Sequence, residues 1–329
     1  MKKYQVMGIG NAVVDVLTTA EDTFLHQMNI EKGIMQLVDS DRGDILYAQM
    51  KDRIQAPGGA VANTLAGLGA LGVRTAFIGR VCDDPLGEFY ASSMQKDGTD
   101  FLNAPIVGGE LPTSRSMIFV SPDGERSMNT YLGISAELGP DDVPIDVASQ
   151  ADFVFLEGYL FDKDKGKEAF KRLSRVCRSA GGRAGIAISD PFCVERHRSD
   201  FLTLIEHELD FVMGNEDEVK SLFETNDLDI ALQKVSTICE LVVCTRGGDG
   251  VSVIIKGRRI DVTVGRVLPV DATGAGDQFA AGFLFGLIND RDIVSCCKMG
   301  AIAAGEVIGH IGPRPQEDIK KLIKNQGLL

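Results

Sequence analysis

The sequence predicts an α/β protein in three layers: a mostly parallel central sheet flanked by helices, with a small separate β-sheet. Three observations predict it. From Asp152 onward, β-type runs at 153–156, 184–188, 211–213 and 241–244 alternate with helical patterns at 165–179, 200–206 and 216–223. Such alternation marks parallel strands joined by crossover helices. Earlier, β-type runs at 114–120 and 126–131 flank Ser121-Pro122-Asp123-Gly124-Glu125, a hairpin signal. That hairpin belongs to a small sheet of its own or to an edge of the main one. Lastly, 329 residues with ordinary apolar (44%) and charged (25%) fractions suit one large domain with a small appendage.

Residues 4–9 alternate like a strand and run into Gly10-Asn11. The next run, 12–17, carries Asp15, a lone carboxylate in an apolar strand. It sits on an exposed edge or binds a ligand hydroxyl, and composition alone leans to exposure. Residues 33–38 read as a strand, and 40–50 as a helix with Ser40 as its N-cap. Pro57-Gly58-Gly59 then opens a helix of small residues, with Asn63 near its first turn. Either a ligand approaches the backbone there or the helix packs tightly on a sheet. Gly67-Leu68-Gly69-Ala70-Leu71-Gly72 matches G-x-G-x-x-G but ends a helix instead of following a strand, so it is no dinucleotide fingerprint. Residues 75–79 read as the following strand, and Asp84-Pro85-Leu86-Gly87 starts another helix.

In open parallel sheets, ligands bind beyond the carboxyl ends of the strands. Glu157-Gly158, Ser189-Asp190, Gly214-Asn215 and Thr245-Arg246-Gly247 fall there, all polar or glycine, which fits a site on that edge. Asn215-Glu216-Asp217-Glu218 either complements a helix dipole or stands near a hard cation such as magnesium. Asp162-Lys163-Asp164-Lys165-Gly166 lacks calcium-loop offsets and reads as a helix cap. Thr245 to Gly250 is a glycine-rich turn, suited to a nucleotide or merely to the bend into a hairpin at 251–264.

A β-type run at 266–270 leads into Asp271-Ala272-Thr273-Gly274-Ala275-Gly276-Asp277. Phe279, Phe283 and Leu287 then recur at helical spacing, so a helix begins near Ala275. Small residues at a helix mouth expose N–H groups that attract anions, and a neighbouring carboxylate takes a proton. The plainer reading is a tight turn with Asp277 complementing the dipole. On Gly-Ala-Gly-Asp alone the two weigh about equally. Residues 293–307 form a helix whose small side chains leave a slot for a flat base or allow close packing. Pro313-Arg314-Pro315 breaks the chain before a last amphipathic helix.

Net charge is 34 − 47 = −13 with no basic run, which argues against nucleic acid and anionic membrane as partners. The longest apolar run, 280–288, is too short to cross a bilayer. Seven scattered cysteines without C-x-x-C read as reduced thiols, and with the four spaced histidines they make no zinc pattern. The expectation is a cytoplasmic enzyme.

In their order, these motifs resemble the ribokinase (PfkB) family of sugar and nucleoside kinases. Asp271 to Asp277 is similar to its C-terminal signature, Gly58-Gly59 with Asn63 to its N-terminal one, Asn215 to Glu218 to its N-x-x-E motif, and Thr245 to Gly250 to its nucleotide turn. Gly10 to Val16, Glu125 to Gly133 and Glu157 to Leu160 resemble the adenosine kinase branch. The resemblance implies a ribokinase-like fold over residues 1–329, with a lid from parts of about 11–38 and 104–133. It implies Asp277 as catalytic base and the N–H groups of Gly274, Ala275 and Gly276 as an anion hole. Asn11, Asp15, Gly58, Gly59 and Asn63 would hold the acceptor, Gln36 and Met128 its base or apolar face, and Arg126 the phosphate. Thr245, Gly247, Gly250 and Asn215 would hold ATP. Glu218 and Asn215 would organise Mg2+ through water, and Asp271 and Thr273 match positions where many relatives bind K+. Ala272 departs from the usual threonine but leaves the glycines and the carboxylate in place.

The expected function is ATP-dependent phosphorylation of a nucleoside 5′-hydroxyl, adenosine first, by a monomer or homodimer. The alternatives are a kinase of ribose or fructose, and a non-catalytic nucleoside sensor.

Overall fold

The computed structural model describes residues 2–329. Its strands are β1 (Tyr4–Ile9), β2 (Val13–Thr19), β3 (Met35–Leu37), β4 (Ile54–Pro57), β5 (Thr75–Ile78), β6 (Thr99–Phe101) and β7 (Ser114–Val120). They continue as β8 (Arg126–Tyr131), β9 (Ala151–Glu157), β10 (Arg183–Ala187), β11 (Phe211–Asn215), β12 (Leu241–Thr245), β13 (Val251–Ile255) and β14 (Arg258–Val262). A nine-stranded sheet runs β14-β13-β12-β11-β10-β9-β1-β5-β6, and a five-stranded sheet runs β3-β8-β7-β2-β4. The large sheet is parallel from β12 to β6, with β13 and β14 added antiparallel at one edge. The sequence-predicted α/β class with a second, smaller sheet is the class observed.

Strands buried on both faces explain the continuous apolar runs. Along β1, Val6 faces one core while Met7 and Ile9 face the other; along β9, Phe155 faces the first while Val154 and Leu156 face the second. The first core takes in the helices Ala60–Ala70, Ala275–Ile288 and Ile293–Val307. The second takes in Asp164–Ser179, Pro191–Glu208, Glu216–Leu222 and Leu228–Val235. Phe155, Phe211 and Phe283 are wholly buried in the first core, each contributing about 1.5–3 kcal/mol. A methyl group at Gly8 would lie 2.4 Å from Val61 Cγ1, so the glycine lets the Ala60–Ala70 helix settle directly on β1.

The small sheet has two unlike faces. Val14, Val16, Met117 and Phe119 are buried on one, in the core that also holds Leu25 and Leu46 of the helices Asp22–Gln27 and Ser40–Gln49. On the other face the register lines up Asp15, Ser116, Thr130 and Leu37 in one row, and Leu17, Ile118, Met128 and Met35 in the next. Arg126 shares this second face and pairs with Asp271 of the large body, so the face looks inward. It keeps apolar surface open: Met35 is 40%, Leu37 51% and Ile54 68% exposed.

Several local expectations change. Residues 266–270 form no strand: Leu268 and Val270 lie exposed, and Val270 N donates to Ile308 O at the C-terminal end of the helix Ile293–Val307. No strand edge is placed to pair with them, so β-type composition alone leaves them irregular. The N-cap of the helix at 40–49 is Asp39, whose carboxylate accepts from Arg42 N, not Ser40. The stretch 162–166 does open the helix Asp164–Ser179, with Lys163 at the N-cap and no side-chain capping bond, while Asp162 binds Arg196 and His197. The short strands β4 and β6, with little apolar alternation, are additions to the sequence reading.

Candidate active site

The helix Ala275–Ile288 starts from Gly274, which has φ +79° and no side-chain cap. A methyl group at Gly274 would lie 2.6 Å from Pro313, so only glycine permits both the left-handed turn and this packing. Ala275 N turns back to Ala272 O and Gln278 N to Gly274 O. The N–H groups of Gly276 and Asp277 find no protein acceptor among the described residues. Together with the helix dipole they make an open anion nest.

Asp277 sits in this first turn, at the wall of a cavity of about 110 Å³ that Asn215, Glu218, Thr245 and Gly276 also line. Asn63 Nδ2 donates to Asp277 Oδ2 at 3.0 Å. Burial pushes the Asp277 carboxyl up to about 7, with Glu157 and Asp15 adding to the rise and Asn63 and Arg314 opposing it. A carboxyl poised near neutrality suits proton acceptance. Burial likewise pushes Asp15 up to about 7, against the opposing charges of Arg314 and Arg126. Asp15 lies against Gly58, where a methyl group would come within 2.6 Å of its carboxylate. The expectation of an exposed edge therefore gives way to an inward carboxylate: β4 and β7 cover both edges of β2.

The other glycine-opened helix has a closed mouth. Gly59 caps Ala60–Ala70 at φ +96°, and Val61 N donates to Glu157 Oε2 at 3.1 Å. Glu157 is 1% exposed and also accepts from Asn11 N and Asn11 Nδ2. Asn11 Oδ1 in turn accepts from Ser135 Oγ at 2.7 Å. Asn11 thus works inside the protein, fixing the plug, and is not presented to an acceptor as its sequence position suggests. Burial raises the Glu157 carboxyl while the Val61 and Asn11 donors lower it.

Glu218 closes a capping box with Asn215: each side chain bonds the other's backbone N–H, at 3.0 and 2.9 Å. Burial pushes Glu218 up to about 8. The motif caps a helix, as the plainer reading has it, and also borders the cavity beside Asp277. A carboxylate and an amide oxygen there form a hard donor set that fits a magnesium ion carrying its own waters. A second cavity of about 350 Å³ lies on the far side of Gly276, lined by Thr245, Gly247, Gly250, Val251, Val267, Ala275, Phe279, Ala301, Ala304 and Gly305. The small residues of Ile293–Val307 both pack closely, with a methyl at Gly300 coming 2.7 Å from Phe279 O, and leave this apolar slot.

Two expected contacts are arranged otherwise. Gln36 pairs with Asn129 in register, so it shares the helix-covered face of the small sheet, and its amide donates to Glu31. The side-chain period of two turns it away from Met128, which does face inward. Asp271 is occupied: Arg126 and Gly312 N hold one oxygen, Thr273 N and Oγ1 the other. Burial pushes its carboxyl up, but these donors together hold it below the usual range. The donors around Asp271 and Thr273 leave no carboxylate oxygen free, so the pair does not fit K+ in this arrangement.

Arg314, Glu157 and Gln278 complete the site and have weak sequence signals. Arg314 stands between two prolines and reads as a chain break, yet its Nε donates to Asn63 Oδ1 at 3.3 Å. Gln278 donates to both Asn63 O and Pro313 O. Glu157 stands in the sequence as a carboxylate at the end of an apolar strand and as the first residue of a stretch resembling the adenosine kinase branch, with neither pointing to a helix mouth.

The pfkB family carbohydrate kinase model matches residues 34–320. An adenosine kinase from Sinorhizobium meliloti superposes with a TM-score of 0.91 at 42% identity, over 98% of this chain and 99% of that one. A probable sugar kinase from Rhizobium etli gives 0.93 at 39% identity over 100% of both chains. A fructokinase from Klebsiella pneumoniae is 29% identical over 71% of this chain and 78% of its own. The open nest beside a carboxylate and these relationships lead to one statement: the chain belongs to the PfkB family, and is a sugar or nucleoside kinase, a phosphotransferase with an alcohol acceptor that uses ATP and a divalent metal.

Proposed function

We propose that the acceptor is a nucleoside 5′-hydroxyl, with adenosine first. The observation that carries this is the uncovered inner face of the small sheet. Beside Asp15, the half-buried Leu17 and Met128 and the exposed Met35 and Leu37, backed by the buried Ile118, offer an apolar plane next to a hydroxyl-binding carboxylate. A nucleoside has a flat base beside its ribose; a free sugar has nothing to cover that plane. The 42% identical neighbour described as an adenosine kinase supports the same reading.

In this reading Asp277 takes the proton of the acceptor hydroxyl as its oxygen bonds to the γ-phosphorus. The bond from phosphorus to the bridging oxygen breaks, and ADP leaves with that electron pair. The free N–H groups of Gly276 and Asp277 hold the charge that develops on the phosphoryl oxygens, whereas Ala275 N, expected to share in this, is spent on Ala272 O. Asp15 and Asn63 hold the acceptor. Thr245, Gly247 and Gly250 border the apolar slot for the nucleotide base. Glu218 and Asn215 hold magnesium through water, and the metal, when bound, neutralises phosphate charge. Arg126 must leave Asp271 before it can touch phosphate.

A sugar kinase is the second reading, favoured by the fructokinase relative. ADP release with ATP and magnesium, measured over adenosine, other nucleosides, ribose and fructose, separates them. We expect adenosine to lead in kcat/KM by at least about tenfold, the scale of one apolar-pocket contact. A free sugar leading the panel overturns the proposal.

A further inference from the structure

We infer that Arg314 is a positioning residue for proton transfer, fixing the Asn63 amide with its NH2 turned to Asp277. The inference rests on the reading of Asp277 as the base. The Asn63 amide lies between two partners. Arg314 Nε is 3.3 Å from its oxygen, and Asp277 Oδ2 is 3.0 Å from its nitrogen. An amide fits such a gap in two orientations related by a half-turn. A guanidinium has donors and no acceptor, so it admits only the amide oxygen. That leaves the NH2 for the carboxylate. In the reverse orientation, two oxygens would meet unless Asp277 kept a proton, and a protonated Asp277 is no base.

Arg314 is held rigidly enough to enforce this. Its NH1 pairs with Asp97, which caps the C-terminal end of the helix Pro85–Lys96. Proline on both sides restricts the local backbone. Pro313 O accepts from Gln278 at 3.0 Å, and Gly312 N donates to Asp271 at 2.9 Å. Glu306 Oε1 accepts from Gln316 N and Glu317 N on the far side. The segment 312–317 is thereby tied to both ends of the nest and to the helix carrying Asn63. The Arg314 side chain is only 14% exposed.

The charge of Arg314 matters as well as its shape. Three carboxylates bear on Asp277: Glu157 from the end of β9, Asp15 from β2 and Glu218 from the helix Glu216–Leu222. Arg314 is the cation that opposes them. Its removal would therefore favour the protonated form of the base.

The test is steady-state turnover with magnesium, ATP and the best acceptor of the panel, recorded from pH 5.5 to 9. These limits are about those over which a base near neutrality titrates. In Arg314→Met we expect kcat to fall about 10–100-fold, with KM for ATP within about twofold and the acidic limb moved to higher pH. Arg314→Lys keeps the cation but loses the planar fork; its limb should stay near the parental position while kcat is partly restored. A folded Arg314→Met with parental kcat and limb overturns the inference. So does a loss of kcat in both variants with the limb unmoved in each, which is what a purely structural role predicts. Should Arg314→Met fail to fold, Asp97→Asn is read in its place: a smaller shift of the limb in the same direction supports the inference, and a parental profile overturns it. Asp277→Asn is run alongside. If it retains turnover, the base reading falls and this inference with it; if it is inactive while Arg314→Met is parental, the inference alone falls.

Discussion

Two helices in this molecule begin on a left-handed glycine, and their mouths serve opposite ends. At Ala60–Ala70, the buried Glu157 fills the mouth and takes the Val61 N–H. At Ala275–Ile288, the N–H groups of Gly276 and Asp277 remain free beside a cavity. The same local chemistry gives a structural joint in one place and a ligand nest in the other. What decides is what the fold brings to each mouth: β9, far later in the chain, delivers the Glu157 carboxylate to the first, whereas no protein acceptor among the described residues reaches the Gly276 and Asp277 N–H groups at the second.

The largest expected difference concerns the two carboxylates. Asp277→Asn should lower kcat by about 10²–10⁴-fold, with acceptor affinity by calorimetry unchanged. Loss of affinity instead of turnover would break the contrast. Glu157→Ala should act on stability, by about 3 kcal/mol or more in urea unfolding, because it strands the buried Val61 and Asn11 donors.

Glycine substitutions sharpen the comparison further. Gly59→Ala puts a methyl 2.5 Å from Asn11 O at φ +96°, and should cost more than the roughly 1–2 kcal/mol of a left-handed residue. Gly276→Ala meets nothing within 4 Å. It should leave stability unchanged or raise it by up to about 1 kcal/mol, yet raise KM for ATP by crowding the nest. A Gly276→Ala enzyme with parental KM would show that the nest holds no phosphate.

The smallest effect is that of pH on the ligand-free protein. Asp15 and Asp277 are raised to about 7 and Glu218 to about 8, above the unfolded range near 4. The native state then binds more protons than the unfolded chain between about pH 4 and 8. Their contribution is complete below pH 4 and is lost as pH rises through 7 to 8. Thermal melts should lose a few degrees between pH 5 and 8, and Glu218→Gln should flatten that slope.

Much of this was legible beforehand because it is local. The βα alternation, the hairpin at 114–131 and the helix beginning at Ala275 depend on period and turn chemistry, and the structure places them within a few residues. Asp277, Asn63 and Asp15 stand together as the motif order implied. Gln36 shows the limit: an edge strand three residues long carries too little pattern to fix which face a side chain takes. Arg314 shows another, since a partner 251 positions away leaves no trace in spacing. Asp271 was legible as a signature residue but not as Arg126's counter-ion, because that pair forms only when the small sheet meets the loop leading into the helix Ala275–Ile288.

The uncovered inner face of the small sheet has a thermodynamic consequence. Water now touches Met35, Leu37 and Ile54. A planar heterocycle settling there would strip that hydration, and calorimetric titration at several temperatures would record a pronounced negative heat-capacity change. A small polyol, seated only at Asp15, would leave the wetted side chains as they are and register little change.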